Sequence, residues 1–168
     1  MARPVLRQRL RHALAGIVWA ATMSAVSFSH ASDNAAAPQI AAEFLDGQPY
    51  SLSTSKGSVT LVSVWSPESL ASRKSIGELQ RFASAYHARV NTLAVSTLKD
   101  ADALRAFVAK RALTVPVAIL ADHNLGALPE RHLPLVYVFD HDGKLRASSR
   151  GMFAVRHLER MVEPLLPH

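Results

Sequence analysis

The run Val59-Thr60-Leu61-Val62-Ser63-Val64-Trp65 constrains this chain more than any other segment. It is mostly apolar, rich in β-branched residues and free of charge, and it does not alternate between polar and apolar positions. A strand with one face in water alternates, whereas one covered on both faces reads as a continuous hydrophobic run, so this segment predicts a central strand of a parallel or mixed sheet. Directly after it, Ser66-Pro67 reads as a helix start, with serine able to cap the first turn and proline tolerated at the first helical position. Ile76, Leu79, Ala83 and Tyr86 then recur at helical spacing, with Phe82 beside them. A doubly covered strand feeding an amphipathic helix predicts an α/β architecture.

The remaining segments extend that pattern. Ile40 and Phe44, the turn Asp46-Gly47, and Tyr50 with Leu52 on one face predict a short β hairpin, and Ser55 to Ser58 the next turn. Val90 to Val95 reads as a second buried strand. Asp100 to Arg111 reads as a helix with Leu104, Phe107 and Val108 inward. Val115 to Leu120 is a strand whose Pro116 belongs at a start or an edge. Leu133 to Phe139 and Lys144 to Ser148 are strands joined by Asp140-His141-Asp142-Gly143. Leu158, Met161, Val162 and Leu165 stripe a closing helix. The expected order is β-β-α-β-α-β-β-β-α, with no internal repeat and no second domain.

Val59 to Gln80 resembles the active-site segment of the TlpA/ResA-like thioredoxin family, in which this stretch reads "FWATWCPPCRAEMPELQ". The spacing from Trp65 to Glu78 is 13 residues, as from the first Trp to the Glu of "ELQ". Without gaps, the family's two cysteines fall on Ser69 and Ser72. A second register, in which Trp65-Ser66-Pro67-Glu68-Ser69 matches Trp-Cys-Pro-x-Cys, needs a deletion and a compensating insertion. Phe44 to Leu52 is similar to the family's "F…DG…L" hairpin, and Lys56-Gly57 to its "lkGk". Leu133-Pro134-Leu135-Val136-Tyr137-Val138-Phe139-Asp140 with Asp142-Gly143-Lys144-Leu145 resembles "G-x-P-T-T-F-L-I-D-x-D-G-K-I". The resemblance covers about Ile40 to Leu166. It implies a thioredoxin-like fold, a central mixed sheet flanked by helices with an N-terminal β-hairpin extension. It also implies a cis Pro134 facing the serine pair, beside a backbone edge that pairs with an extended chain. Leu135-Val136 stands where the family has Thr-Thr.

The chain has no cysteine in any register. The chemistry of this family needs a thiolate near the first turn of a helix, where the dipole and free amides lower the thiol pKa. A serine hydroxyl has no accessible anion near neutral pH and cannot form a disulfide, so thiol-disulfide exchange at Ser69 and Ser72 is excluded and no catalytic residue is assigned. Serine nucleophilicity would need a base within reach; His87, His123, His132 and His141 are candidates that no motif ties to Ser69, and no Gly-x-Ser-x-Gly elbow is present. The plainer reading is that both are first-turn serines that satisfy free amides. Histidine spacing matches no paired metal motif, so no metal and no cofactor are expected. Met152 and Met161 read as core or cover residues, and Asp140, Asp142 and Gly143 as hairpin-turn residues.

The N-terminus predicts export. Arg3, Arg7, Arg9 and Arg11 precede an apolar, small-residue-rich run from Ala13 to Phe28, and Ser29-His30-Ala31 offers a cleavage point. The expected organisation is a signal peptide over 1–31, a flexible leader over 32–39 and a thioredoxin-like domain over 40–168, with an uncleaved membrane anchor as the alternative. Beyond the signal peptide, 15 basic residues face 13 acidic ones, and no basic run interleaved with aromatics supports nucleic-acid binding. The leading expectation is a redox-inactive periplasmic or otherwise exported protein that binds a peptide or partner protein in the cell envelope. Its groove would be lined by Trp65, Leu70, Ala71, Leu133, Pro134, Leu135 and Val136 around the degenerate positions Ser69 and Ser72. The alternatives are an accessory role in thiol-disulfide or cytochrome maturation and a structural subunit of an envelope complex.

Overall fold

The computed structural model describes residues 39–55 and 57–167. The expected signal peptide, the leader up to Pro38, and Lys56 lie outside the described residues. The chain forms β1 (Ile40–Phe44), β2 (Pro49–Ser51), β3 (Val59–Trp65), α1 (Leu70–Tyr86), β4 (Val90–Ser96), α2 (Ala101–Arg111), β5 (Val117–His123), β6 (Leu135–Phe139), β7 (Leu145–Arg150) and α3 (Val155–Val162). The seven strands make one sheet in the order β2-β1-β5-β4-β3-β6-β7. β3, β4 and β5 run parallel, while β6, β7, β1 and β2 pair antiparallel, which makes the sheet mixed. This is the thioredoxin-like architecture that the sequence predicts.

β3 lies between β4 and β6 in the interior of the sheet, and all seven of its residues are buried, which accounts for its unbroken apolar run. Its alternate residues feed two cores. Val59, Leu61 and Trp65 join Ile76, Leu79 and Phe82 of α1, Leu104 of α2, and Leu158 and Val162 of α3. Val62 and Val64 join Ile40, Ala42, Leu93, Val95, Ala118 and Phe139 on the second face. That face is closed by Leu52 from a 3₁₀ turn and by Leu125, Leu128 and Leu133 from the segment before β6.

Several element boundaries differ from the sequence reading. The hairpin supplies β1 and β2 before β3, where the expected element order counts a single strand, and Leu52 leaves β2 to begin the 3₁₀ turn. α1 begins after Ser69 and not at Ser66-Pro67, because the Ser66 hydroxyl accepts the Glu68 amide in a local turn (3.1 Å) and Ser69 takes the cap. β5 starts at Val117 because Pro116 has no N–H to give the ladder; its carbonyl still accepts from Ala94 (2.9 Å). β6 starts at Leu135, after the Leu133–Pro134 turn.

Candidate functional site

At the junction of β3 and α1, four serines spaced three apart, Ser66, Ser69, Ser72 and Ser75, are all buried. Each does a separate structural task. Ser69, in extended conformation, caps α1 by accepting the Ser72 amide (3.3 Å). Its hydroxyl proton goes across the sheet end to the Leu133 carbonyl (3.3 Å). The Ser72 hydroxyl accepts the Ser66 amide (3.3 Å), closing the loop between strand and helix. Ser75 accepts the Phe153 amide (3.3 Å), tying α1 to the segment before α3. Arg73 pins the same loop from outside by donating to the carbonyls of Pro67 (2.8 Å) and Glu68 (2.9 Å).

Opposite the serines, the Leu133–Pro134 peptide bond is cis, as the resemblance implies. Ser69, rather than Ser66, contacts the residue before that proline, which agrees with the gapless register. The Pro134 carbonyl accepts the Gly151 amide (2.8 Å), and Gly151 holds a positive φ of 84° that glycine adopts without strain. Three segments, 66–75, 133–135 and 150–153, therefore meet through Ser69, Ser75 and Pro134.

The expected groove lining is only partly at the surface. Trp65 is 1% exposed and sits in the core against Phe107, with ring centroids 5.4 Å apart. Its indole N–H has no partner among the described residues. Leu133 is 1% exposed and Pro134 and Val136 are buried, so none of these four lines an open groove; the two-faced burial of β3 and β6 draws them inward. Ser72 is also buried, and Ser69 is 9% exposed. What reaches solvent is Leu70, 59% exposed at the first position of α1, with Ala71 and Leu135 half-buried. Met152, expected as a core or cover residue, is 64% exposed on the turn between β7 and α3, because its neighbours Gly151 and Phe153 are the residues anchored inward.

Sequence reasoning missed two residues that tie α1 to its neighbours, one of them beside this site. The Glu78 carboxylate accepts the Val155 amide (3.1 Å) at the start of α3, whose own cap residue Ala154 makes no side-chain bond. Gln80 accepts the Thr114 amide (3.0 Å) beyond the end of α2. Both lie in the Gly77-Glu78-Leu79-Gln80 stretch that matched the family, so the motif was visible and its bracing role was not.

Among the described residues, neither Ser69 nor Ser72 has a histidine hydrogen-bond partner. His87 bonds the Ser84 carbonyl (2.9 Å) and His123 accepts the Leu125 amide (3.2 Å). His157, which the sequence did not single out, bonds the Ser149 hydroxyl (2.9 Å) between α3 and β7. Among the described residues, no group of three or more His, Asp or Glu side chains could hold a metal ion. Asp140 does hold the β6–β7 turn, accepting the amides of Asp142 and Lys144 (2.9 Å each) and the Arg146 guanidinium (2.5 Å). Burial alone would raise its pKa, but the Lys144 amide, the Arg146 side chain and the Asp142 amide outweigh it and hold the carboxyl below its ordinary value.

Residues 34–148 match the AhpC/TSA family. The chain is 27% identical over 113 residues to the thiol-disulfide oxidoreductase YkuV of Bacillus subtilis (strain 168), covering 64% of this chain and 76% of that protein. Among solved structures it resembles a DsbF homologue from Corynebacterium diphtheriae, with a TM-score of 0.66 and 18% identity over 77% of this chain and 85% of that one. It also resembles a secreted thiol-disulfide isomerase from Corynebacterium glutamicum, with a TM-score of 0.63 and 20% identity over 77% and 84% of the two chains. These two likenesses speak for the fold alone. With the matching sequence span, the mixed sheet and the cis-proline facing the start of α1 all in place, the chain belongs to the AhpC/TSA family as a TlpA/ResA-like thioredoxin family member that has no cysteine.

Proposed function

We propose that this protein is a redox-inactive, exported thioredoxin-fold protein that holds a peptide or partner protein at the surface around Ser69, Leu70 and Pro134. The observation that carries the reading is the exposure of Leu70 and Met152, two of the three large apolar side chains that stand well out of the surface among the described residues. Both border the degenerate cysteine positions and the proline turn. Two large apolar side chains kept in water beside one otherwise closed site support a contact surface there. The absence of cysteine from the whole chain supports the lack of redox turnover, because serine supplies neither a thiolate nor a disulfide.

Export over a signal peptide at 1–31, cleaved before Ser32, fits the basic and apolar N-terminus and the secreted relative from Corynebacterium glutamicum. Among the described residues, no helix is long and apolar enough to cross a membrane. A second reading, an accessory place in a thiol-disulfide pathway, is favoured by the activity named for the Bacillus relative.

The test is photo-crosslinking in the native envelope from a benzoyl-phenylalanine at position 70, with an insulin-reduction assay on the isolated protein. A discrete crosslinked partner and no reductase activity are expected. Absence of any crosslinked partner defeats the binding function, and reductase activity by the purified chain defeats the redox reading.

A further inference from the structure

The family-based expectation is that an extended chain pairs with the backbone beside Pro134. Strand addition needs an exposed edge that offers N–H and C=O together. Here the carbonyls of that edge are spent internally. The Leu133 carbonyl accepts the Ser69 hydroxyl (3.3 Å), and Leu133 is 1% exposed, so its second lone pair is not presented to a partner either. Pro134 has no N–H, is buried, and gives its carbonyl to Gly151 (2.8 Å). Leu135 already stands in the ladder between Val64 of β3 and Arg150 of β7.

What the surface does present is side chains. Leu70 follows the residue that bonds Leu133, and Met152 follows the residue that bonds Pro134, so both stand beside the same turn. Leucine offers a fixed apolar wall, while methionine adapts to irregular partners. The surroundings are cationic. The three segments that meet here, 66–75, 133–135 and 150–153, carry Arg73, Lys74 and Arg150 against Glu68, an excess of two positive charges. Residues 32–168 as a whole carry the same excess of two, so the net positive charge lies here and the charges of the rest balance. A like-charged partner would be repelled and an acidic one steered in.

Resting on the reading that this surface holds a partner, we propose that it recognises an acidic segment through one large apolar side chain seated between Leu70 and Met152, and not through strand pairing. Ser69 is the residue that closes this turn to strand pairing. The hydroxyl in the cysteine's place fills the main-chain acceptor an extended ligand would use.

The experiment uses the full chain and four ten-residue synthetic peptides read by fluorescence anisotropy. One is Glu/Asp-rich with a central Trp. The second has Ala for that Trp, the third has Lys for every acid, and the fourth is the first with N-methylated backbone amides around the Trp. Expected are binding of the acidic Trp peptide and a loss of about tenfold or more on Trp to Ala, the size of an anchor residue. Affinity of the N-methylated form should stay within about twofold, and the Lys peptide should not bind. Leu70→Ala and Met152→Ala, at exposed sites where folding is retained and checked by thermal midpoint, should each weaken the acidic peptide several-fold. Loss of binding on N-methylation with Trp to Ala tolerated overturns side-chain recognition and leaves the binding function standing. Failure of the acidic Trp peptide to bind, while crosslinking from position 70 still captures a partner, overturns the acidic-anchor chemistry alone. Failure of both removes the function and the inference together.

Discussion

Glu78 offers the sharpest test of how α1 braces the site. Its carboxylate accepts the Val155 amide at 3.1 Å, and Val155 is the first residue of α3. The helix has only eight residues and no local cap, since Ala154 makes no side-chain bond there. A lost N-terminal cap costs about 0.5–2 kcal/mol, and a negative charge at a helix start adds roughly 0.3–1 kcal/mol. Glu78 also pairs with Arg81, but that partner is 67% exposed, and an exposed pair contributes about 0–1 kcal/mol. Glu78→Ala should therefore cost about 1–2 kcal/mol, Glu78→Gln about half of that because the amide oxygen can still accept, and Arg81→Ala under about 0.5 kcal/mol. For a domain of this size the alanine variant should lose roughly 3–5 °C in Tm per kcal/mol. Urea denaturation of the single variants, and of each in an Ala154→Asp background, measures the effect. Aspartate at 154 supplies a local cap, so Glu78→Ala should cost about 1 kcal/mol less in that background. If Glu78→Ala and Arg81→Ala are equally mild, or if Ala154→Asp leaves the cost of Glu78→Ala unchanged, the capping argument is wrong.

Asp140 gives a pH signature. Its folded pKa is held below the ordinary carboxylate value, so its stabilisation is complete above the unfolded value of about 4 and fades as pH falls through the lower folded value. Asp140→Asn should lower stability at pH 7 by about 1–3 kcal/mol, read from the urea transition, and the gap to wild type should close below pH 4; a gap that persists at acid pH would contradict it. Ala112 ends α2 in the left-handed conformation, with φ of 48°, where a Cβ is strained. Ala112→Gly should raise the thermal midpoint, by about 0.5–1 kcal/mol of stability, and no gain would show that the rest of the turn sets that conformation. Ser69→Cys with Ser72→Cys would put two thiols at the start of α1, one slightly exposed and one buried. That double variant should form an internal disulfide and reduce insulin, whereas wild type should not; an inert, oxidised double variant would mean that the missing thiols are not the reason for silence.

Much of the fold was legible because its signals are local and repeated. A seven-residue apolar run, helical stripes and turn residues each identify their own element, and Gly143 marks the β6–β7 turn by residue type alone. The site was legible only as far as its framework. Ser69 and Ser72 stood out as amide-satisfying residues at the start of α1, and both fill that role. Ser66 misled, because a serine before a proline can cap a helix or close a turn, and only the path of the loop chooses between them.

The sequence alone determined that this chain is an α/β protein of thioredoxin type, and that no thiol chemistry can occur on it, since both follow from residue order and atomic composition. Which side chains meet solvent was decided by tertiary structure. Trp65 and Leu133 carry the same apolar character as Leu70 and Met152, yet the first two vanish into doubly covered layers and the last two remain outside. Burial is a property of what packs around a residue, and here it depended on contacts such as Ser69 to Leu133 and Glu78 to Val155, 64 and 77 residues apart in the chain. No local pattern encodes pairings at that distance.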